Sequence, residues 1–221
     1  VMRYSTLLFD LDGTLTDSRE GIINCFRHTA EVMGAELPEN TDCLLGPPLG
    51  FSFENFFGMD SKKAEESVRV YRRRYGDTGL FENRVYSGVP EMLETLSKNG
   101  FMLCVATCKA EIYAVRILDK FGLSRYFKVI GGSDTEGRRT SKTEVIDYVL
   151  MRAGVSDRSR VLMVGDRDND VLGAHSSGID CLGVLWGYGS AEELAGAGAD
   201  MAADTPQSAA EMIIRKEDSY V

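Results

Sequence analysis

Apolar and polar positions change rhythm twice along this chain. Leu7-Leu8-Phe9 is a short continuous apolar run that feeds into Asp10-Leu11-Asp12-Gly13-Thr14, the pattern of a buried strand ending in a sharp turn. The rhythm then becomes helical. Ile22, Ile23, Phe26, Ala30 and Met33 recur at helical spacing after a cap at Asp17 or Ser18, and the run stops near Gly34. Ala64, Val68, Tyr71 and Tyr75 repeat that spacing between a start at Asp60 or Ser61 and a stop at Gly76. Between them, Leu44-Leu45-Gly46-Pro47-Pro48-Leu49-Gly50 reads as a loop, because proline removes a donor and restricts its predecessor. An aromatic-rich stretch with Phe51, Phe53, Phe56 and Phe57 follows.

From about residue 88 strand and helix patterns alternate. Met92, Leu93 and Leu96 mark a helix opened by Gly88-Val89-Pro90; Phe101 to Ala106 read as a strand ending at Thr107. Ile112, Val115, Leu118 and Phe121 predict a helix over 109–121, then a short strand at Lys128 to Ile130 and a polar loop from Gly131 to Thr140. Val145, Ile146, Val149 and Leu150 mark the next helix, and Val161 to Val164 the next buried strand, which ends at Gly165-Asp166. A short helix, a strand at Cys181 to Leu185, and helices after Ser190 and from about Pro206 complete the pattern. Such alternation is the signature of parallel βαβ units. The first strand must therefore rejoin a sheet built from much later chain. The expected fold class is α/β, with a core of residues 1–16 and 87–221 and a helical cap of residues 17–86 inserted after strand one. Hinges are expected near 15–18 and 80–88, where Tyr86-Ser87-Gly88 suits one.

Composition narrows the function classes. The chain has 221 residues, 43% of them hydrophobic, enough for a packed core. Its 34 acidic and 25 basic residues give a net charge of −9, which argues against a nucleic-acid polymer or an anionic membrane as partner. Five scattered cysteines lack a metal-type pairing and fit reduced thiols. No signal-peptide pattern precedes the first strand, and no apolar run approaches the ~20 residues of a membrane span. A soluble, cytoplasmic protein is expected, as monomer or dimer.

The candidate chemistry sits at strand ends. Asp10 and Asp12, one residue apart, repel each other by about 4 kcal/mol at ~4 Å and an effective dielectric of ~20, which calls for protonation, a cation, or both. Favoured turn residues would explain Asp and Gly there without any chemistry. Three further sites share the geometry: Thr107 ends a strand, Lys142 opens a helix after a Gly-rich loop, and Gly165-Asp166-Arg167-Asp168-Asn169-Asp170 ends another strand. An acid pair, a hydroxyl, a cation and a second acid pair would share one sheet edge.

This order and spacing strongly resembles the haloacid dehalogenase superfamily of phosphotransferases over nearly the whole chain, its four motifs standing as Asp10-Leu11-Asp12-Gly13-Thr14, Thr107, Lys142, and Gly165-Asp166 with Asp170. The resemblance implies a Rossmann-like parallel-sheet core with a small helical cap. It also implies Mg²⁺-dependent hydrolysis of a small phosphate ester through an aspartyl phosphate. Asp10 would be the nucleophile and Asp12 the proton donor and acceptor. Thr107 and Lys142 would complete the catalytic set. The turn at Leu11, Gly13 and Thr14, together with Cys108, would hold the phosphoryl group; Gly46 and Pro47 of the cap would meet the substrate. Asp10, Asp166 and the Asp12 main-chain carbonyl would hold the metal, with Asp170 ligating it directly or through water, since an oxygen-only, carboxylate-rich site suits Mg²⁺ better than zinc.

Other residues have plainer readings. Arg138 and Arg139 compete with Lys142 in the same loop; Asp168 reads as a helix-start charge. His28 and His175 read as structural or surface residues, and Arg69, Arg72, Arg73 and Arg74 as a solvated helix face. Asp12 argues against the superfamily's dehalogenases, whose halide leaving group needs no proton. Lys62 and Lys63 lack support as a phosphonate-cleaving lysine, and the Leu44 to Gly50 loop lacks the basic residues of the β-phosphoglucomutase branch. The Gly165-Asp166-Arg167, Gly178-Ile179-Asp180 and Gly183 to Gly189 runs look like the phosphoglycolate phosphatase group and its 5′-nucleotidase-like relatives, and Leu45-Gly46-Pro47-Pro48-Leu49 is similar to the cap loop of the latter. Thr143 and Ser87 depart from prolines usual in that group. A mutase or pyrophosphatase of the superfamily stays open as an alternative, as does a receiver-like phospho-acceptor module.

Overall fold

The computed structural model describes residues 3–134 and 139–215. Arg138 lies outside them. Two compact units emerge, one of residues Val1–Asp17 and Val85–Val221, the other of Ser18–Arg84.

The first unit is built on a parallel sheet. Its strands are β1 (Thr6–Phe9), β4 (Met102–Ala110), β5 (Phe127–Ser133), β6 (Val161–Gly165), β7 (Asp180–Val184) and β8 (Met201–Ala203); between β1 and β4 in sequence come the short β2 (Thr16–Asp17) and β3 (Arg84–Val85), which form a two-stranded sheet of their own. The six strands run in the order β5-β4-β1-β6-β7-β8, and every pairing is parallel. The expected α/β class and helical insertion are therefore present. Helices cover the sheet: α4 (Val89–Lys98), α5 (Glu111–Lys120), α6 (Lys142–Ala153), α7 (Asp168–Ser176), α8 (Ala191–Ala197) and α9 (Pro206–Ile214), numbered after α1 (Arg19–Met33), α2 (Leu49–Asn55) and α3 (Ser61–Asp77) of the other unit. A sheet covered on both faces needs strands apolar on both faces, which is why β1 and β6 read as unbroken hydrophobic runs and are buried throughout.

Register decides what the strand ends bring together. Phe9 pairs with Val105 of β4 on one side and Val164 of β6 on the other, and Asp10 N–H donates to Val164 O at 2.9 Å. Asp10 thus emerges level with the ends of both neighbours, the position at which open α/β sheets bind ligands.

The second unit is helical: α1 (Arg19–Met33), α2 (Leu49–Asn55) and α3 (Ser61–Asp77), with a 3₁₀ turn at Thr41–Leu44. Gly34 ends α1 in the left-handed region, but α3 runs through Gly76, and Leu49 and Gly50 belong to α2 rather than to the loop. Phe26, Phe53, Phe57 and Tyr71 pack as an aromatic cluster, with Phe53 fully buried. Phe51 is half exposed instead. Arg69, Arg72 and Arg73 are exposed as expected. Arg74 is not: half-buried, it grips Glu82 with two hydrogen bonds of 2.8 and 3.0 Å and donates to Cys25 Sγ. Among the described residues no helix is long and apolar enough to cross a membrane.

Candidate active site

Three carboxylates converge at the carboxyl edge of the sheet. Oxygens of Asp10, Asp166 and Asp170 all lie within 4.8 Å of one another, and all three residues are buried. Asp10 follows β1, Asp166 follows β6, and Asp170 sits in the first turn of α7. Gly165 makes room for the last of these, since a Cβ there would stand 2.3 Å from the Asp170 carboxyl carbon.

Lys142 is the cation among them. Its Nζ lies 2.9 Å from Asp10 Oδ1 and 2.6 Å from Asp170 Oδ1, and it donates to Ala106 O at 3.0 Å. A lysine in the first turn of a helix opposes the helix dipole, so its position needs another cause. Ser141 and Glu144 supply it by closing a capping box that fixes where α6 begins, and Gly173 of α7 leaves the lysine stem its path: a Cβ there would stand 2.5 Å from Lys142 Cγ. Burial works against the ammonium, yet Asp10 and Asp170 outweigh it and hold Lys142 well above its ordinary value. Its rival Arg139 is spent elsewhere, on Gly132 O, on Glu111 and over the Tyr148 ring.

Asp166 shows the opposite balance. Burial, then Asp170 and Asp10, push its carboxyl up to about 8, against hydrogen bonds from Tyr188 N–H at 2.8 Å and Thr14 Oγ at 3.2 Å. Burial likewise raises Asp170, with Lys142 pulling the other way. Three acids face one ammonium, leaving two negative charges if all ionise. An all-oxygen set with that imbalance fits a divalent cation.

Asp12 stands apart from this cluster. Its Oδ2 lies 2.6 Å from Nζ of Lys109, a residue the sequence reading did not select. Thr107 is buried, and its Oγ1 accepts from Lys109 N–H, leaving its own proton to donate. In the turn, Gly13 N–H donates to Thr16 O and Thr14 N–H to Leu11 O, so these two amides are used internally. Cys108 is half-buried, and burial raises its thiol. Gly46 and Pro47 lie in the helical unit, between the turn at Thr41–Leu44 and α2.

Two aromatic residues were also missed as site contributors. Trp186 Nε1 donates to Thr14 O at 3.0 Å, and Tyr188 OH donates to Asp17 at 3.1 Å while its amide holds Asp166. Asp168 is an exposed helix-start residue, His28 is exposed, and His175 pairs with Asp200 at 3.0 Å.

Comparison with known proteins gives a consistent picture. The sequence model described as haloacid dehalogenase-like hydrolase matches residues 7–184. A 5′-nucleotidase of Pseudomonas aeruginosa is 44% identical over 87% of this chain and 88% of that protein. Tyrosine-protein kinase PtkA of Mycobacterium tuberculosis is 42% identical over 84% of this chain, which spans 64% of that protein's length. A solved Clostridium difficile structure assigned as a phosphatase superposes with a TM-score of 0.89 at 43% identity, covering 96% of this chain and 99% of that one.

Proposed function

Since the chain belongs to the haloacid dehalogenase-like hydrolases and is a phosphatase acting on phosphate esters, we propose that it is a Mg²⁺-dependent phosphomonoesterase for small metabolites, 5′-nucleotides first and 2-phosphoglycolate-like esters second. The observation that carries the reading is the buried Asp10, Asp166 and Asp170 cluster with its single ammonium, Lys142.

The chemistry runs in two steps. A carboxylate oxygen of Asp10 attacks phosphorus and the bond to the ester oxygen breaks, leaving an acyl phosphate on Asp10. Asp12 gives its proton to the departing alkoxide, a poor leaving group without one. Water then attacks the acyl phosphate and Asp12 takes its proton back, which frees Asp10 and inorganic phosphate. Lys142 fixes Asp10 for in-line attack and lies close enough to face the phosphoryl group. Thr107 donates its hydroxyl proton to a phosphoryl oxygen, with the amides of Leu11, Asp12 and Cys108 as further donors. Mg²⁺ held by Asp10, Asp166, Asp170 and the Asp12 main-chain carbonyl would neutralise charge on the phosphoryl oxygens.

The core motifs recognise only the phosphoryl group, so we assign choice of alcohol to the cap of residues 17–86, and within it to Gly46 and Pro47. The similarity of the Leu45 to Leu49 loop to that of 5′-nucleotidases, and the 5′-nucleotidase relative, support nucleotides as the first class. Five free cysteines fit a reducing, cytoplasmic setting.

A panel of 5′-nucleotides, 2-phosphoglycolate, sugar phosphates and pyrophosphate compared by kcat/KM, with and without Mg²⁺, tests the proposal. Preference for 5′-nucleotides with loss of turnover on chelation is expected. Turnover of pyrophosphate alone, or transfer of the phosphoryl group to a tyrosine peptide in preference to water, would overturn it.

A further inference from the structure

Lys109 follows Thr107 by two residues, on the stretch where β4 loses its regular register against β5 between Ala106 and Ala110. Its backbone N–H donates to Thr107 Oγ1 at 3.2 Å, so the residue that carries the hydroxyl also anchors the lysine's backbone. The lysine side chain is drawn in, 9% exposed, with Nζ 2.6 Å from Asp12 Oδ2. The other oxygen of that carboxylate, Asp12 Oδ1, is buried and has no hydrogen-bond partner among the described residues. Buried carboxylate oxygens ordinarily find donors. The two oxygens of Asp12 therefore stand in different states, one anchored by an ammonium and one unspent.

We propose that Lys109 is a positioning residue for the proton transfer, holding Asp12 by Oδ2 so that Oδ1 is presented to the ester oxygen of a bound phosphate ester. The inference rests on Asp12 being the acid–base of the proposed reaction. Lys109 itself transfers no proton and forms no bond to substrate. An untethered carboxylate rotates about its side-chain bonds; because the group is planar and rigid, an ammonium holding Oδ2 also fixes where Oδ1 points. The consequence is selective: a tether on the acid matters for an ester whose alkoxide must be protonated as it leaves, and little for p-nitrophenyl phosphate, whose phenolate leaves unaided.

Wild type, Asp12→Asn, Lys109→Met and Lys109→Arg should be compared by kcat/KM on p-nitrophenyl phosphate and on an alkyl phosphate that the wild type turns over. This ratio reports the steps up to formation of the acyl phosphate, so its hydrolysis, common to both esters, does not mask the effect. Lys109→Met should lose about 100-fold on the alkyl ester, as expected for a misplaced reacting group, and less than about 5-fold on the aryl ester. Inhibition by inorganic phosphate should be unchanged, and Lys109→Arg should recover most of the loss. Lys109→Gln gives the same comparison should Lys109→Met melt below the assay temperature. Equal losses on both esters with weaker phosphate inhibition would make Lys109 a phosphoryl ligand and overturn the proposal. If Asp12→Asn shows the alkyl bias and neither neutral Lys109 variant does, the tether alone fails. If Asp12→Asn shows no bias, the acid–base reading of Asp12 fails and the tether with it.

Discussion

At the edge of the sheet, Asp10, Asp166 and Asp170 are packed within 4.8 Å of one another with almost no solvent contact, and one lysine answers them. In the helical unit the buried centre is made of rings: Phe26 lies 4.9 Å from Tyr71 and 5.2 Å from Phe53 by centroid, and Phe53 lies 5.2 Å from Phe57. Burying rings stabilises that unit through apolar area and edge contacts. At the sheet edge burial does the reverse for Asp166 and Asp170, since desolvation opposes their ionisation. The sheet edge thus carries a cost to stability that the proposed chemistry would explain, whereas the helical unit is held together by the same packing that gives it a shape.

The largest effect is expected from Asp10→Asn, which removes the proposed nucleophile. It should reduce turnover of every phosphate ester by more than about 10⁴-fold in steady-state assays, comparable to the loss of other catalytic nucleophiles. Residual turnover near wild type would mean that the acids are not the reaction centre. Asp166→Asn comes next and should move activity and stability in opposite directions. Activity should fall with loss of the proposed metal site, while relief of the buried repulsion should raise the melting temperature of the metal-free protein by about 5 °C. Mg²⁺ should then no longer raise it further, as differential scanning calorimetry would record.

A smaller effect follows from pH. Asp166 is raised from 3.8 to about 8 by burial, Asp170 and Asp10. A carboxyl raised on folding contributes stability that is complete below its unfolded value and is lost as pH climbs through its folded one. The metal-free protein should therefore lose melting temperature between about pH 4 and pH 8 on account of this group. Added Mg²⁺ should stabilise most at the upper end, where the carboxylate is ionised, and least near pH 5. In the helical unit Phe53→Ala should cost about 3–5 kcal/mol in denaturant unfolding, since the ring is fully buried. Phe51→Ala, at a half-exposed ring, should cost within about 0.5 kcal/mol. Equal costs would show that the aromatic cluster does not organise the unit.

The same contrast explains what could be read from sequence. Leu7-Leu8-Phe9 and Val161 to Val164 announce buried parallel strands because both their faces must be apolar, and the acids that follow them are conspicuous for standing where the hydrophobic run stops. Lys142 stood out from its neighbours only through the family resemblance; in the structure the capping box at Ser141 places it at the start of α6, while Arg139 is taken by Glu111. Lys109 was not legible. Helical spacing after Thr107 assigned it to the start of a helix, whereas the strand continues irregularly to Ala110 and the helix opens at Glu111. The two-residue strands β2 and β3 are too short to show any period. Trp186 and Tyr188 stood in a recognisable run, but their hydrogen bonds to Thr14 and Asp166 span more than twenty residues of sequence and carry no local signal. Gly165 and Gly173 were the available clue, for each is a missing side chain where Asp170 or Lys142 needs the space.

On the proposed mechanism Asp10 carries the phosphoryl group between the two steps. Rapid mixing with p-nitrophenyl phosphate and Mg²⁺, followed by quenching and borohydride reduction, converts an acyl phosphate on aspartate into homoserine that peptide mass spectrometry can locate. Homoserine is expected at position 10, dependent on substrate and absent when Mg²⁺ is chelated. Homoserine at position 12, 166 or 170, or none at any time point while phosphate is released, would contradict it.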